Sequence, residues 1–231
     1  MNNQLEILFE DEDLLVCRKP AGVATQTKRL GQQDMESLLK NYRVKKGEPP
    51  YIGVVHRLDQ PVEGVMVFAK NQKAAAGLSK QVQERVIGKY YYAVSECTPK
   101  EKEGVLEDSL FTDKKMNFTQ VVENGGKLAK LQYKVVETKA GKTLFDIKLH
   151  TGRQHQIRVQ MAHMGCPLVG DAKYNEQKSQ DVTKAKSEGL ALCSYKLEFE
   201  HPKQKIPMKF EIQPVGKVFD CLDIFGGFDY H

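Results

Sequence analysis

The four consecutive residues His56-Arg57-Leu58-Asp59 bring an imidazole, a guanidinium and a carboxylate close together. They lead into an apolar segment, Gly64 to Ala69, with the composition of a buried strand. Burial raises the pKa of a carboxyl group and a neighbouring cation lowers it, so a carboxylate placed here could be tuned for acid–base or nucleophilic chemistry. Taken alone, the tetrapeptide would equally suit a surface salt-bridge cluster.

A second segment with chemical potential is the aromatic run Lys89-Tyr90-Tyr91-Tyr92-Ala93. Its aromatic and β-branched surroundings predict a strand, in which successive side chains point to opposite faces. Tyr91 is therefore predicted to face away from Tyr90 and Tyr92. Ordinary packing in a sheet would also account for each of these phenols.

The third segment runs from Thr151 to Pro167 and continues to Tyr174. It places four basic side chains around one predicted helix, namely Arg153, His155, Arg158 and His163. Such groups are costly in a core element unless each one has a partner, so the segment predicts a polar site.

A metal-dependent hydrolase is one alternative, with ligands drawn from His56, Asp59, His155 and His163. The last two histidines stand eight residues apart, whereas two ligands on one helix face are typically four residues apart. The spacing therefore argues against this alternative.

The elements that must position these residues can be predicted from periodicity, caps and turns. They are a hairpin (Leu5 to Phe9, Leu14 to Cys17), a helix from its cap Asp34 to Tyr42, a helix from its cap Asn71 to Arg85, the strand Lys89 to Val94, a hairpin (Leu128 to Thr138, Thr143 to His150), a helix from Arg153 to Met164, and closing strands Leu190 to Glu200 and Pro207 to Ile212. Strands outnumber helices and hairpins join several of them. We therefore predict an α+β fold on a mixed, mostly antiparallel sheet flanked by helices and loops.

The composition excludes several protein classes. Of 231 residues, 40% are hydrophobic and 28% charged, which is typical of a folded soluble protein. The apolar runs are far shorter than the roughly 20 residues that span a bilayer, and the first six residues do not resemble a secretory signal. The five cysteines are scattered and never spaced Cys-x-x-Cys. This predicts no disulfide framework, no zinc site and a cytoplasmic location.

Charge is unevenly distributed along the chain. Lysine and arginine total 35 against 30 acidic residues, a net charge of +5. Basic clusters at 40–46 and 70–89 are candidate RNA contacts, although solvated helix faces would have the same composition. The end of the chain, 215–231, is predicted to be an acidic tail, and the polar stretch Glu176 to Glu188 a surface loop.

These segments together resemble the RluA family of RNA pseudouridine synthases over nearly the whole chain. The resemblance rests on His56-Arg57-Leu58-Asp59 followed by Gly64 and Ala69-Lys70, on Lys89-x-Tyr91-x-Ala93, and on Gly152-Arg153-x-His155-Gln156-Ile157-Arg158 with His163, Gly165, Pro167, Gly170-Asp171 and Tyr174. Each motif is weak alone, but their order and spacing are specific.

The resemblance implies roles for individual residues. Asp59 would be the catalytic aspartate, Tyr91 the phenol stacked on the target base, and Arg158 the cation paired with the aspartate. Arg57 would help to extrude the base. Substrate binding would involve Arg57 together with His56, Lys89, Arg153, His155 and Gln156.

The resemblance also implies an architecture and an activity. It implies one pseudouridine synthase domain over residues 1–231, with a core of about 5–214 and no N-terminal RNA-binding module. The chain would isomerise uridines in a ribosomal or transfer RNA stem-loop, as a monomer, with no cofactor, metal or membrane. A catalytically silent RNA-binding protein of the same fold is the alternative, but it would not need the three catalytic residues.

Two positions depart from the family pattern. Relatives usually have Thr-Ser where this chain has Val62-Glu63, and commonly a histidine where it has Gln160. We expect Glu63 to add a negative charge near the active loop, which affects the approach of RNA rather than the chemistry.

Overall fold

The structure is a computed structural model that describes residues 5–29, 31–175 and 189–220. Several predictions made from the sequence concern other parts of the chain. The predicted surface loop at 176–188, most of the predicted acidic tail and the first four of the six residues compared with a secretory signal lie outside the described residues.

Strands dominate the described part of the chain. The elements are β1 (Glu6–Glu10), β2 (Leu14–Lys19), α1 (Met35–Lys45), β3 (Gly53–Val54), β4 (Glu63–Ala69), α2 (Gln72–Glu84), β5 (Gly88–Ser95), β6 (Glu103–Asp113), β7 (Phe118–Val121), β8 (Lys127–Lys139), β9 (Lys142–Leu149), α3 (Gln156–His163), β10 (Leu192–Glu200) and β11 (Pro207–Glu211). The α+β class is confirmed. Strands β6 and β7 were not predicted.

The chain divides into two compact units. Unit 1 contains Met1–Gly88 and Lys196–Ile212, and unit 2 contains Lys89–Tyr195 and Gln213–His231. The single catalytic domain over residues 1–231 stays a prediction.

In unit 1, β2 pairs antiparallel with both β1 and β4, and β3 pairs antiparallel with β4. Every residue of β4 is buried. The Asp34 carboxylate caps α1 by accepting from the Ser37 amide at 2.8 Å, and the Asn71 side chain caps α2 by accepting from the Ala74 amide at 2.9 Å. Both predicted caps are confirmed. Helix α2 ends at Glu84, and the residue that caps it, Arg85, has a left-handed φ of 59°.

In unit 2, the strand order is β5-β9-β8-β6-β7, with antiparallel neighbours throughout. Helix α3 packs on this sheet through a core of Leu110, Ala129 and Val159. The helix begins at Gln156 rather than at Arg153 as predicted. The reason is that His155 has a left-handed φ of 53° and breaks the helical path before it.

Unit 2 also contains a disulfide bond between Cys97 and Cys166, whose Cα atoms are 5.0 Å apart. The prediction of no disulfide was therefore wrong. The two cysteines are 69 residues apart in the sequence, so their spacing gave no signal. The fold places the two segments side by side: Ser95 forms a β-bridge with Leu168, and its hydroxyl donates to the Pro167 carbonyl at 2.7 Å.

We found no membrane-spanning helix in residues 5–29, 31–175 and 189–220. None of the helices there has the length and apolar character that a bilayer crossing requires.

Candidate active-site residues

Asp59 lies in unit 1, in the turn between β3 and β4, and is half-buried. The Thr25 hydroxyl holds the preceding residue, Leu58, by donating to its carbonyl at 3.0 Å and accepting from its amide at 3.2 Å. The Val62 amide donates to the Asp59 carbonyl at 3.0 Å. The backbone that carries the candidate carboxylate is therefore fixed on both sides.

Lys19 is a fully buried cation in the same part of unit 1. Its ammonium group donates to three backbone carbonyls, those of Pro20 at 3.0 Å, Val23 at 2.6 Å and Gln60 at 3.1 Å. Burial lowers the pKa of Lys19 to about 8, whereas the negative charges of Asp59 and Glu63 raise it. Lys19 thus ties the residue after Asp59 to the loop after β2, and its charge acts on the candidate carboxylate.

The sequence did not single out Lys19 or Thr25. The available signal was a lysine at the end of a strand whose other residues are almost all apolar, immediately before the turn Pro20-Ala21-Gly22. A cation there must be either exposed or held by several acceptors. Sequence alone does not distinguish these two possibilities.

Glu63 is buried, and Arg18 stands beside it. The Arg18 guanidinium Nη1 is 3.8 Å from a Glu63 carboxylate oxygen, and its Nε is 2.8 Å from Glu6. The negative charge that departs from the family pattern is therefore offset by Arg18 within unit 1. The negative charge of Glu63 also raises the pKa of Lys19.

The other two predicted site residues of unit 1 differ in exposure. His56 is half-buried, and its Nε2 accepts a hydrogen bond from the Val67 amide at 3.1 Å. This nitrogen therefore carries no proton, and the neutral ring has its proton on Nδ1. Arg57 is exposed, which suits contact with a large partner.

In unit 2, β5 carries Lys89 and Tyr91. Tyr91 is buried and paired with Ile147, whereas Tyr92 on the opposite face stacks on Tyr195 with ring centroids 3.8 Å apart. The predicted alternation of the tyrosines is confirmed. Burial lowers the pKa of Lys89, whose ammonium lies close to Gly152 at the start of the loop before α3.

Arg158 is buried on α3 and forms a two-pronged ion pair with Asp171. Its Nε donates to Oδ2 at 2.7 Å and its Nη2 donates to Oδ1 at 2.8 Å. The guanidinium also lies 5.0 Å from the centre of the Tyr174 ring. Asp171 and Tyr174 belong to the motif that carries the resemblance, but the sequence assigned them no role. The predicted pairing of Arg158 with Asp59 stays a prediction, because a guanidinium has five N–H donors and can serve more than one acceptor.

The remaining predicted residues lie in the turn before α3 and at the first position of that helix. Arg153 is half-buried, and its Nε donates to the Leu128 carbonyl at 3.0 Å. His155 is buried, with Nδ1 2.7 Å from the Tyr174 hydroxyl. Gln156 is buried too, and its side-chain oxygen accepts from the Arg153 amide at 3.0 Å. The structure thus brings Arg153, His155, Gln156 and Arg158 together within unit 2.

The histidines of the metal alternative have separate partners. His56 accepts from a backbone amide, His155 contacts Tyr174, and His163 lies 2.9 Å from Asp108. Within the described ranges, no group of three or more histidine, cysteine or acidic side chains is arranged to hold a metal ion.

The basic clusters proposed to hold RNA are in part internal. Arg43 and Lys70 are buried, and Glu48 accepts from Arg43 at 3.0 Å and lies 3.1 Å from Lys70. Glu10 adds a second carboxylate, 2.7 Å from Lys70 and 3.0 Å from Lys46. The prediction that these clusters grip RNA was therefore wrong for Arg43 and Lys70. Their charges stabilise unit 1 instead.

The family model described as RNA pseudouridylate synthase matches residues 13–163 of the chain. The chain belongs to the RNA pseudouridylate synthase family. The matched range includes Asp59, Tyr91 and Arg158.

Named members of the family agree with the RluA resemblance. The dual-specificity RNA pseudouridine synthase RluA of Vibrio parahaemolyticus is 33% identical over 94% of this chain and 89% of its own length. The uncharacterized RNA pseudouridine synthase YhcT of Bacillus subtilis is 37% identical over 74% of this chain, and the ribosomal large subunit pseudouridine synthase D of Nitrosomonas europaea is 33% identical over 86%. The aligned region covers 58% of the length of each of these last two relatives.

Solved structures of the family have the same fold. Human RNA pseudouridylate synthase domain containing 4 superposes with a TM-score of 0.73 at 23% identity, over 90% of this chain and 88% of that one. Human RNA pseudouridylate synthase domain containing 1 gives 0.74 at 21% identity, over 91% and 84%. At these identities the likeness concerns the fold alone.

Proposed function

We propose that this chain is an RNA pseudouridine synthase that isomerises specific uridines in structured RNA, with Asp59 as the reactive carboxylate. The observation that carries the proposal is the family match over residues 13–163, which spans Asp59, Tyr91 and Arg158. The reaction breaks the bond between the ribose and the base nitrogen, turns the freed uracil and joins it again through carbon. Nothing is oxidised and no group passes to water, so this chemistry calls for no cofactor or metal.

The role proposed for Asp59 follows from what the reaction needs. A carboxylate serves as nucleophile, at the ribose or at the base, or as the base that removes a sugar proton. Each of these roles requires the ionised form at a fixed position. The anchoring of Leu58 by Thr25 and of Gln60 by Lys19 supports a fixed position. The Asp59 carboxylate and the buried Lys19 ammonium attract each other.

We assign Tyr91 and Arg158 to the same reaction. The Tyr91 ring would stack on the target base after it leaves the helix stack, a step that costs a few kcal/mol. Arg158 would pair with the Asp59 carboxylate, and its two bonds to Asp171 support a fixed guanidinium orientation. Exposed Arg57 would enter the RNA stack, and His56, Lys89, Arg153, His155 and Gln156 would bind the nucleotide and its neighbours.

The substrate we propose is a stem-loop of ribosomal or transfer RNA, because unstacked loop bases can be extruded and read whereas paired A-form bases cannot. The names of the relatives include a ribosomal large subunit synthase and a dual-specificity synthase. We favour ribosomal RNA and propose a cytoplasmic, monomeric enzyme.

A tritium-release assay tests the proposal. Transcripts of large-subunit ribosomal RNA and of transfer RNAs, made with uridine tritiated at carbon 5, lose the label when the base is rejoined through that carbon. We expect release with the native chain and none with Asp59→Asn, which keeps the shape of the side chain and removes its charge.

Asp220→Asn is the matched control, because it makes the same change at an exposed position and should release tritium at the native rate. Turnover by Asp59→Asn would refute the role of Asp59. Binding of these RNAs without any release by the native chain would favour the silent RNA-binding alternative.

A further inference from the structure

A row of polar side chains lies where α3 packs on β6 and β8 in unit 2. Thr151, Gln156 and Gln160 are buried, and the side chain of Asp108 is only 12% exposed. The roles proposed above use Gln156 but leave Asp108 and Gln160 unexplained.

Hydrogen bonds join these residues in one continuous series. The Gln160 amide nitrogen donates to Asp108 Oδ2 at 2.7 Å, and the Gln156 amide nitrogen donates to Gln160 Oε1 at 2.9 Å. Gln156 Oε1 then accepts from the Thr151 hydroxyl at 2.8 Å and from the Arg153 amide at 3.0 Å. The series runs from Asp108 on the sheet to the turn before α3.

The Asp108 carboxylate and two backbone carbonyls together set the direction of the series. The Gln160 amide nitrogen also donates to the Ala129 carbonyl at 3.4 Å, and the Gln156 amide nitrogen to the Lys130 carbonyl at 3.2 Å. An ionised carboxylate only accepts, so Gln160 must turn its amide nitrogen toward Asp108 and its oxygen toward Gln156. Gln156 must in turn present its nitrogen to Gln160. Its oxygen is then the group that meets the Arg153 amide. A change at Gln160 would remove one of the two acceptors that orient the Gln156 side chain, and a change at Asp108 would loosen Gln160 itself. Either change would loosen the acceptor of the Arg153 amide.

We infer that Asp108 and Gln160 are positioning residues that hold the Thr151–His155 turn in the conformation that binds RNA. The inference rests on the proposed function, in which Arg153 and His155 contact the substrate. Arg158 has its own anchor in Asp171, outside this series. Loss of the series therefore weakens substrate binding more than it slows the chemical step.

Gln160→Met tests this, because it keeps the length of the side chain and removes both hydrogen-bonding groups. Hydrogen exchange followed by mass spectrometry should show the Arg153 amide exchanging about tenfold faster, since its acceptor Gln156 loses one of the two hydrogen bonds that orient it. Amides of α3 and of its C-terminal cap, such as that of Met164 bonded to the Gln160 carbonyl, should keep native rates. Gln132→Met makes the same substitution at an exposed position of β8 and should change neither.

The kinetic readout separates positioning from general weakening. With the large-subunit ribosomal RNA transcript, we expect KM to rise about tenfold for Gln160→Met and kcat to stay within about threefold, as the loss of a charge-assisted hydrogen bond at a binding turn implies. A fall in kcat at native KM would overturn the inference. Faster exchange throughout α3 would also overturn it, because that outcome indicates a purely structural role.

A double variant that exchanges the acid and the amide of the Asp108–Gln160 pair tests whether their hydrogen bond can be restored. Gln160→Glu sets two carboxylates against each other, and adding Asp108→Asn restores a donor facing an acceptor. The double variant should recover much of the native protection of Arg153 and of the native KM, and failure to improve on Gln160→Glu would contradict the inference. The hydrogen-exchange measurement needs no RNA. If the native chain shows no turnover, the proposed function fails while the exchange data still decide whether the series holds the turn.

Discussion

Lys19 shows how a single buried cation can serve a reactive loop. Burying its ammonium is unfavourable, and lowering its pKa from the usual 10.5 to about 8 corresponds to roughly 3 kcal/mol. Three carbonyls accept from it, and leaving a buried acceptor without a donor costs about 1–3 kcal/mol each. The three hydrogen bonds offset the burial cost, and they fix the loop that carries Asp59.

Replacing Lys19 with methionine should therefore lower the free energy of unfolding at pH 7 by about 1–3 kcal/mol and reduce kcat, because the carbonyl of Gln60 loses its donor. The pH dependence gives a separate check. Between pH 8 and 10.5 the unfolded chain still binds the proton that folded Lys19 has released, so this residue makes stability rise with pH in that window. Urea unfolding across the window should show that the rise is smaller in the variant. An unchanged profile would contradict the assignment.

Arg158→Met should abolish isomerisation and destabilise the protein by roughly 3–5 kcal/mol, because Asp171 would be left as a buried carboxylate without its cation. The Asp171 side chain is fully buried in the native protein. Adding Asp171→Asn should restore much of the stability but none of the activity. Urea unfolding and tritium release measure the two effects separately. Full activity of Arg158→Met at neutral pH would rule out a catalytic role.

At the scale of elements, one ion network ties α1 to the ends of β1 and β4. Burial alone would raise the pKa of Glu10, but hydrogen bonds from Lys70, Lys46 and Tyr42 lower it to about 2. The folded protein therefore keeps Glu10 ionised at a pH where the unfolded chain takes up a proton. Its contribution is complete above pH 4.5 and is lost as the pH falls toward 2.

Glu10→Gln should accordingly lower the free energy of unfolding at pH 7 by about 2–3 kcal/mol. It should also flatten the acid limb of the stability profile between pH 4.5 and 2. Glu12→Gln is the matched control, since that side chain is 89% exposed and should change little. Equal effects of the two substitutions, in urea unfolding at several pH values, would show that the network is not the cause.

Local signals in the sequence predicted most elements. The capped helices α1 and α2 and the alternating tyrosines of β5 were all foreseen, because each depends on neighbours within a few residues. Strands β6 and β7 were missed, since β6 alternates only weakly and exposes Val105 and Phe111. The start of α3 was misplaced because His155 adopts a left-handed conformation that no local pattern announces.

Partners distant in sequence could not be predicted in the same way. The candidate residues could be identified by type and spacing, but the Arg158–Asp171 pair and the carbonyl contacts of Lys19 depend on tertiary structure. The burial of Arg43 and Lys70 also depends on tertiary structure and could not be predicted from local patterns. Charge in a sequence does not reveal whether a cation faces solvent or a buried carboxylate.

At the scale of the molecule, the Cys97–Cys166 disulfide closes a long loop in unit 2. It joins the segment after β5, which carries Tyr91, to the segment after α3, which carries Arg158. A cross-link of this span restricts the unfolded chain, and the chain-entropy relation gives about 4 kcal/mol. The oxidised protein should be the more stable form by up to that amount.

Thermal unfolding with and without dithiothreitol measures this difference, and peptide mapping without reductant identifies the bond. Cys97→Ser should match the reduced native protein and should no longer respond to dithiothreitol. Cys193→Ser is a control, because that cysteine is buried and not disulfide-bonded. An equal response to reductant in native protein and Cys97→Ser would show that this bond does not stabilise the fold.

We propose that this chain forms pseudouridine in cellular RNA through Asp59. A transcriptome-wide pseudouridine map of cells that lack the gene, complemented with either the native sequence or Asp59→Asn at equal protein level, tests it most directly. We predict that at least one site in ribosomal or transfer RNA is lost on deletion, returns with the native sequence and stays absent with Asp59→Asn. A map that deletion leaves unchanged, or a site restored by Asp59→Asn, would contradict the account.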